Sequence, residues 1–358
     1  MKRKFVIFTK MFVFLLIFAF FFTKLSYISR KWIAHTTGNI SGFYGLKRNS
    51  LDICFIGTSG TFSAFCPMQA WKEQGFASYN FCINVLGADA IVYAIKEVQK
   101  TQKKAVVVID LFPFISHHLV HDGKMADYAI RYNTDGYKYS LNRFKLITKL
   151  LPKDKKKLSY YFDLLKYHDN KLEFCTYGHF LSNFSHHSII KGYNNLPWGV
   201  TSPAIKTNEI SALEPEYDKA LDELLEYCRH SRQKILFLYY PYGETRTEYG
   251  LSCDSLAYIN YMKEKILKDF ELLNCEDFVD DFSFDYSLDF WNSGHWNIYG
   301  AEKITRVLGE KFVQMYNLKN RQTEEKYKSW NEDIPEWDKY VKSSKASVLE
   351  QRNSSGNL

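Results

Sequence analysis

Apolar and polar positions alternate along this chain in three regimes. The first is an unbroken block. In "MKRKFVIFTKMFVFLLIFAFFFTKLSYISRKW" every residue from 11 to 22 is apolar. From Phe5 the stretch is interrupted only by Thr9 and Lys10. That length reaches the lower end of the roughly 17–25 residues a bilayer span needs. The second regime is a strand–helix rhythm. Residues 51–56 ("LDICFI") read as a strand, 67–75 as a short helix opened by Pro67 and stopped by Gly75, and 78–84 as a second strand. Ile91, Val92, Ile95 and Val98 fall at helical spacing in 88–102, and "AVVVIDLF", 105–112, is the β-branched run of a strand buried on both faces.

Residues 113–212 break the rhythm. They are rich in Tyr, His, Asn and Lys, with helical stretches in "RFKLITKLL" and "KKLSYYFDLLKYH", and read as an insertion capping one end of the sheet. The rhythm resumes with a helix over 216–231, a strand over 234–240, a helix over 254–273, a short strand and turn over 277–283, and an amphipathic helix over 297–316. Strands and helices joined by short links predict a parallel sheet with helices on its faces. The expected organisation is an anchor over 1–34, an α/β domain over 35–320 and a polar tail over 321–358, whose last stretch, 341–358, is expected to fray.

Composition refines this picture in two places. The seven cysteines (54, 66, 82, 175, 228, 253, 275) form no CxxC; Cys54 and Cys228 are expected as small buried hydrophobes, and one or two disulfides are left open. The formal charge of +7 gathers in lysine clusters such as Lys153–Lys157. These read as a solvated helix start or loop, so nucleic acid is not an expected partner, and a weak attraction to anionic lipid or polymer is left open. Lys2, Arg3, Lys4 and Lys10 precede the apolar block and Lys24, Arg30 and Lys31 follow it. The block ends without the small-residue cleavage pattern of a signal peptide. An uncleaved signal anchor is the expected reading, N-terminus cytoplasmic and the rest extracytoplasmic.

The candidate chemistry lies at the carboxyl edge of the expected sheet. "FIGTSGTF" delivers Ser59 onto a turn between Gly57 and Gly60 just after the first core strand. Open α/β sheets place their sites at such edges. The two glycines leave nearby N–H groups uncovered for an oxyanion. A serine needs a base to attack at neutral pH. "DFWNSGHWNIYGAEKIT" offers His295, in a loop before the last helix. Read alone, Gly-Thr-Ser-Gly is an ordinary turn and cap; paired with His295 it becomes a candidate nucleophile. The histidines of "HHLVH" (117, 118, 121) and the pair at 186–187 read as insertion surface, and no phosphate-binding signature occurs. No metal or cofactor is expected.

Taken together, "FIGTSGTFSAF" and "NSGHWNIYGAEKIT" resemble the SGNH (GDSL-like) hydrolase superfamily, over roughly 50–112 and 214–316. The nearest likeness is to its membrane-anchored cell-surface branch, which includes the D-alanine-transfer proteins of teichoic acid modification. The resemblance implies a three-layer, flavodoxin-like α/β/α fold. It makes Ser59 the nucleophile and His295 the base, and places Trp296-Asn297-Ile298-Tyr299-Gly300 in the family's final pattern, with Asn297 near the substrate. It assigns Gly87 of "NVLGADA" as a second oxyanion donor. The chain departs from the family at Asn292, where an aspartate usually orients the base, and no third-motif asparagine can be placed. Asp289, six residues before His295, is the alternative carboxylate. The implied activity is ester hydrolysis or acyl transfer on a cell-surface polysaccharide or teichoic-acid-like polymer, alongside a membrane-bound O-acyltransferase. The competing expectation is a catalytically inactive module of the same fold that binds polymer or scaffolds an acylation complex.

Overall fold

The computed structural model describes residues 2–30, 34–115, 126–151, 158–167, 185–244 and 254–355. A central sheet of five parallel strands is built from β1 (Ile53–Gly57), β2 (Ser78–Cys82), β3 (Val106–Asp110), β4 (Ile235–Tyr239) and β5 (Glu271–Asn274). Their spatial order is β2-β1-β3-β4-β5. The first four are buried at every position, which explains the apolar runs of β1, β3 and β4; β2 buries Ser78 and Asn80 as well.

One long helix, α1 (Lys2–Ser29), precedes this domain, and 25 of its residues are long and apolar enough to cross a membrane. The other principal helices are α2 (Ser59–Ala64), α3 (Pro67–Gln74), α4 (Ile91–Gln99), α5 (Ala126–Thr134), α6 (Leu141–Leu150), α7 (Pro215–Arg229), α8 (Asp254–Ile266), α9 (Ile298–Tyr316) and α10 (Ile334–Ser355). α9 packs on α3 and α2, while α7 packs on α4. Phe312 of α9 meets Phe55 of β1 and Phe65 at ring separations of 5.8 and 6.1 Å. Thr305 Oγ1 accepts the Cys66 N–H at 2.8 Å. These contacts bring the end of the chain onto the start of the domain.

Three expectations need correction. The helix expected over 254–273 ends at Ile266, and its tail is β5, which pairs with β4 from Leu236↔Glu271 to Tyr239↔Asn274. The 277–283 segment is a short 3₁₀ stretch, Cys275–Phe282. The run 254–273 satisfies a helical pattern throughout, but the open edge of β4 captures its last residues. Residues 334–355 form α10 rather than a frayed tail. Trp337, Ser344 and Val348 are buried and Tyr340 and Val341 pack beside them, a stripe at helical spacing.

The described residues of the insertion up to 167 are mostly helical, as expected, but the insertion does more than cap one end. α6 packs against α4, and the segment near 191 lies along the edge strand, with the Asn80 N–H donating to Lys191 O at 3.0 Å. Cys54, Cys66, Cys82, Cys228 and Cys275 are free and buried. Cys175, Cys253, Lys153–Lys157 and the histidines at 117, 118 and 121 lie outside the described residues.

Candidate active site

The sheet order reverses between β1 and β3, and that reversal opens the crevice at the carboxyl edge. Thr58 and Ser59 follow β1 directly. Thr58 is the N-cap of α2, and its side chain accepts the Gly60 N–H at 3.3 Å. Ser59 is the first residue of α2, so its N–H is one of the helix-start amides that have no partner within the helix. Gly57 is required by close approach. A Cβ there would lie 1.9 Å from Thr61 Oγ1 and 2.9 Å from Asp110 Cβ. Gly60 is similarly confined, with a Cβ position 2.9 Å from the Tyr242 hydroxyl and 3.3 Å from Gly294 O. Both glycines thus let the turn nest against its neighbours, and the Gly60 N–H is taken by Thr58 Oγ1.

His295 comes from a hairpin, β6 (Phe290–Asn292) and β7 (His295–Trp296), whose register pairs Asn292 with His295. Buried Trp296 packs against Tyr240, Tyr242 and Phe290 at ring separations of 5.7, 5.1 and 6.0 Å. The Gly243 N–H holds Ser293 O at 2.8 Å. The hairpin is thereby clamped over the sheet edge. His295 Nε2 lies 2.8 Å from Ser59 Oγ, across 236 positions of sequence. On the other side of the ring, Nδ1 lies 2.8 Å from Asn292 Oδ1. Asn292 Oδ1 also accepts the Gly294 N–H at 3.0 Å. The side-chain oxygen can only accept, so Nδ1 carries the proton and Nε2 is left to accept the Ser59 O–H. All three residues are half-buried. Trp291, 39% exposed, leans against the imidazole at 5.2 Å.

Below the serine turn sits a buried acid that the motif reading did not single out. Asp110 ends β3 and is 1% exposed. Thr61 Oγ1 donates to its Oδ2 at 2.8 Å, the Phe112 N–H donates to Oδ1 at 3.0 Å, and the Tyr242 hydroxyl lies 3.4 and 3.3 Å from the two oxygens. Burial raises its pKa to about 6, against the opposing pull of those three donors. Its one signal in the sequence is its position, as the only charge in a strand-long apolar run, at the edge where sites form.

Three expected roles are not met. Asp289 does not reach His295. Fully buried, it takes Lys303 Nζ and the Asp285 N–H on Oδ2, each at 2.7 Å, and burial raises its pKa despite Lys303. Asn297 caps α9: its Oδ1 accepts the Tyr299 N–H at 3.0 Å and its Nδ2 donates to Leu288 O and Phe290 O at 2.6 and 3.2 Å. With those bonds made, its amide secures the hairpin to the helix. The Gly87 N–H is taken by Asn133 Oδ1 at 3.2 Å. Asn133, from α5 of the insertion, also donates to Val85 O and Ala129 O at 3.0 and 2.9 Å. Val85 stands in the left-handed region at φ 58°, so the loop after β2 is pinned in an uncommon conformation.

His186 and His187 are separated by their partners. His186 Nδ1 meets Ser41 Oγ at 3.0 Å, and His187 Nε2 meets Asp333 at 2.6 Å. Among the described residues, no three His, Cys, Asp or Glu side chains converge as a metal set would.

A serine hydroxyl, a correctly oriented imidazole and a helix-start amide suffice in principle for nucleophilic attack on a carbonyl. Where the Ser-His-Asp arrangement has a carboxylate hydrogen-bonded to the imidazole, the described residues place the Asn292 side-chain oxygen on Nδ1. No protein-family model, no curated protein and no solved structure significantly matches this chain.

Proposed function

We propose that the protein is a serine-dependent ester hydrolase or acyltransferase of the SGNH type. The observation that carries this is the Ser59–His295–Asn292 chain, with both hydrogen bonds at 2.8 Å. In this reading Ser59 Oγ attacks the ester carbonyl carbon while His295 Nε2 takes its proton. The Ser59 N–H steadies the developing oxyanion. Collapse of the tetrahedral adduct breaks the bond to the alcohol, which leaves with the proton from His295. Water then frees the acyl group, or a sugar hydroxyl receives it.

In this reading the apolar helix is a single membrane-spanning anchor, N-terminus inside, and the domain works outside the membrane at the cell envelope. A surface polysaccharide or teichoic-acid-like polymer suits that location, with a membrane-bound O-acyltransferase as the source of acyl groups. A second reading, an inactive scaffold of the same fold, is favoured by the uncharged Asn292 and by the commitment of the Gly87 N–H to Asn133. Turnover of a short-chain aryl ester and acylation of envelope polymer, compared between the parent and Ser59→Ala, separates the two. The enzyme reading expects loss of turnover in the variant. Equal rates in both would leave the scaffold.

A further inference from the structure

Residues 2–21 of α1 are exposed throughout, and the helix first becomes partly covered at Phe22. At about 1.5 Å per residue this exposed part measures about 30 Å, the thickness of a bilayer's hydrocarbon core. Phe22 packs edge-on against Phe162 of the insertion at 5.4 Å. Beyond it, Arg30 Nε and Nη2 grip Asp163 Oδ2 at 3.0 and 2.6 Å, and Arg143 Nη2 holds Asp163 Oδ1 at 2.7 Å. The side chains of all three are buried. The insertion is therefore pinned to the C-terminal end of α1 and to the residue that follows it.

At that level the insertion presents an apolar face. A cavity of about 450 Å³ is lined mainly by Phe144, Ile147, Leu158, Tyr161 and Phe162. Around it Leu158 is 65% and Phe144 54% exposed, and Leu141 and Leu165 are exposed as well. Exposed apolar groups on this scale, continuous with a membrane-spanning helix, are unexpected on a face turned to water.

We propose that this face is a lipid seat: acyl chains of the bilayer crossed by α1 enter the Phe144–Leu158–Phe162 cavity and hold the domain against the membrane. The seat would fix the height and tilt of the Ser59 edge above the bilayer, which a lone flexible tether would not. The proposal rests on α1 lying in the membrane and is independent of whether Ser59 reacts.

The test uses the full chain in vesicles of phosphatidylcholine and phosphatidylglycerol. A photoreactive benzoylphenylalanine replaces Phe144 or Leu158, with Phe12 in α1 as the membrane reference and Leu349 on exposed α10 as the aqueous reference. After irradiation, intact-mass analysis is expected to find lipid adducts at 12, 144 and 158 and none at 349. Adducts at 12 with 144 and 158 as free of lipid as 349 would overturn the seat and leave the anchor. Crosslinks from 144 or 158 to a second protein chain would overturn it in favour of a protein interface. Absence of adduct at 12 would remove both anchor and seat while leaving the Ser59 chemistry untouched.

Discussion

Asn292→Asp exchanges one side-chain group of nearly equal size and adds one negative charge behind the imidazole. Both existing bonds survive, because a carboxylate oxygen can accept from His295 Nδ1 and from the Gly294 N–H as Asn292 Oδ1 does at 2.8 and 3.0 Å. What changes is the stabilisation of the imidazolium that forms when Ser59 attacks. A neutral hydrogen bond contributes about 1 kcal/mol and one to a charged group about 1.5–3 kcal/mol. Two unit charges about 4 Å apart attract by about 4 kcal/mol near a protein surface, before desolvation is counted. For a half-buried pair the surviving gain is about 1.5 kcal/mol, close to tenfold in rate. The assay is hydrolysis of a p-nitrophenyl ester by the parent and the variant between pH 5 and 9. The variant is expected to be about tenfold faster on the alkaline plateau, and the acidic limb of its profile is expected to move to higher pH. An unchanged or lower plateau in a variant with parental thermal stability would refute the orientation of His295 by residue 292.

Other positions separate fold from chemistry. Asp289→Ala strips the partner from Lys303 and from the Asp285 N–H, and is expected to cost about 2–3 kcal/mol in urea unfolding without moving the pH profile of ester turnover. Gly57→Ala drives a methyl to within 1.9 Å of Thr61 Oγ1, so its unfolding temperature is expected to fall sharply; a parental value would show that the serine turn is looser than described. Asp110 has a folded pKa raised from 3.8 to about 6, so the folded state holds its proton where the unfolded state has lost it. Stability from this group is intact below about pH 4 and falls as pH rises to about 6, by about 3 kcal/mol at about 1.4 kcal/mol per pH unit. Asp110→Asn is expected to flatten that decline when the urea midpoint is followed from pH 4 to 7.

The elements that organise the site were legible because they are locally overdetermined. β1 and β3 are apolar runs bounded by turn residues, and Ser59 and His295 each stand in a short motif at a strand or helix end. The pairing of Asn292 with His295 was legible as a spacing of three; the hairpin register shows how it is met. Long-range competition was not legible. β5 was hidden in a helical pattern because only the edge of β4 makes those residues extended. The Trp337–Val348 stripe of α10 was diluted by a polar composition. Asn133 could not be connected to Gly87 from sequence, since its role depends on how the insertion folds back over the β2 loop. Asp289 looked like a carboxylate for His295 because six residues of separation permit contact; its capture by Lys303 depends on α9.

The claim that Ser59 is an activated nucleophile is tested most directly by labelling with a serine-reactive fluorophosphonate at neutral pH. The full-length parent is expected to become covalently labelled on the peptide containing Ser59, and both Ser59→Ala and His295→Ala are expected to lose the label. A parent that remains unlabelled while folded, or a label that persists in Ser59→Ala, would contradict it.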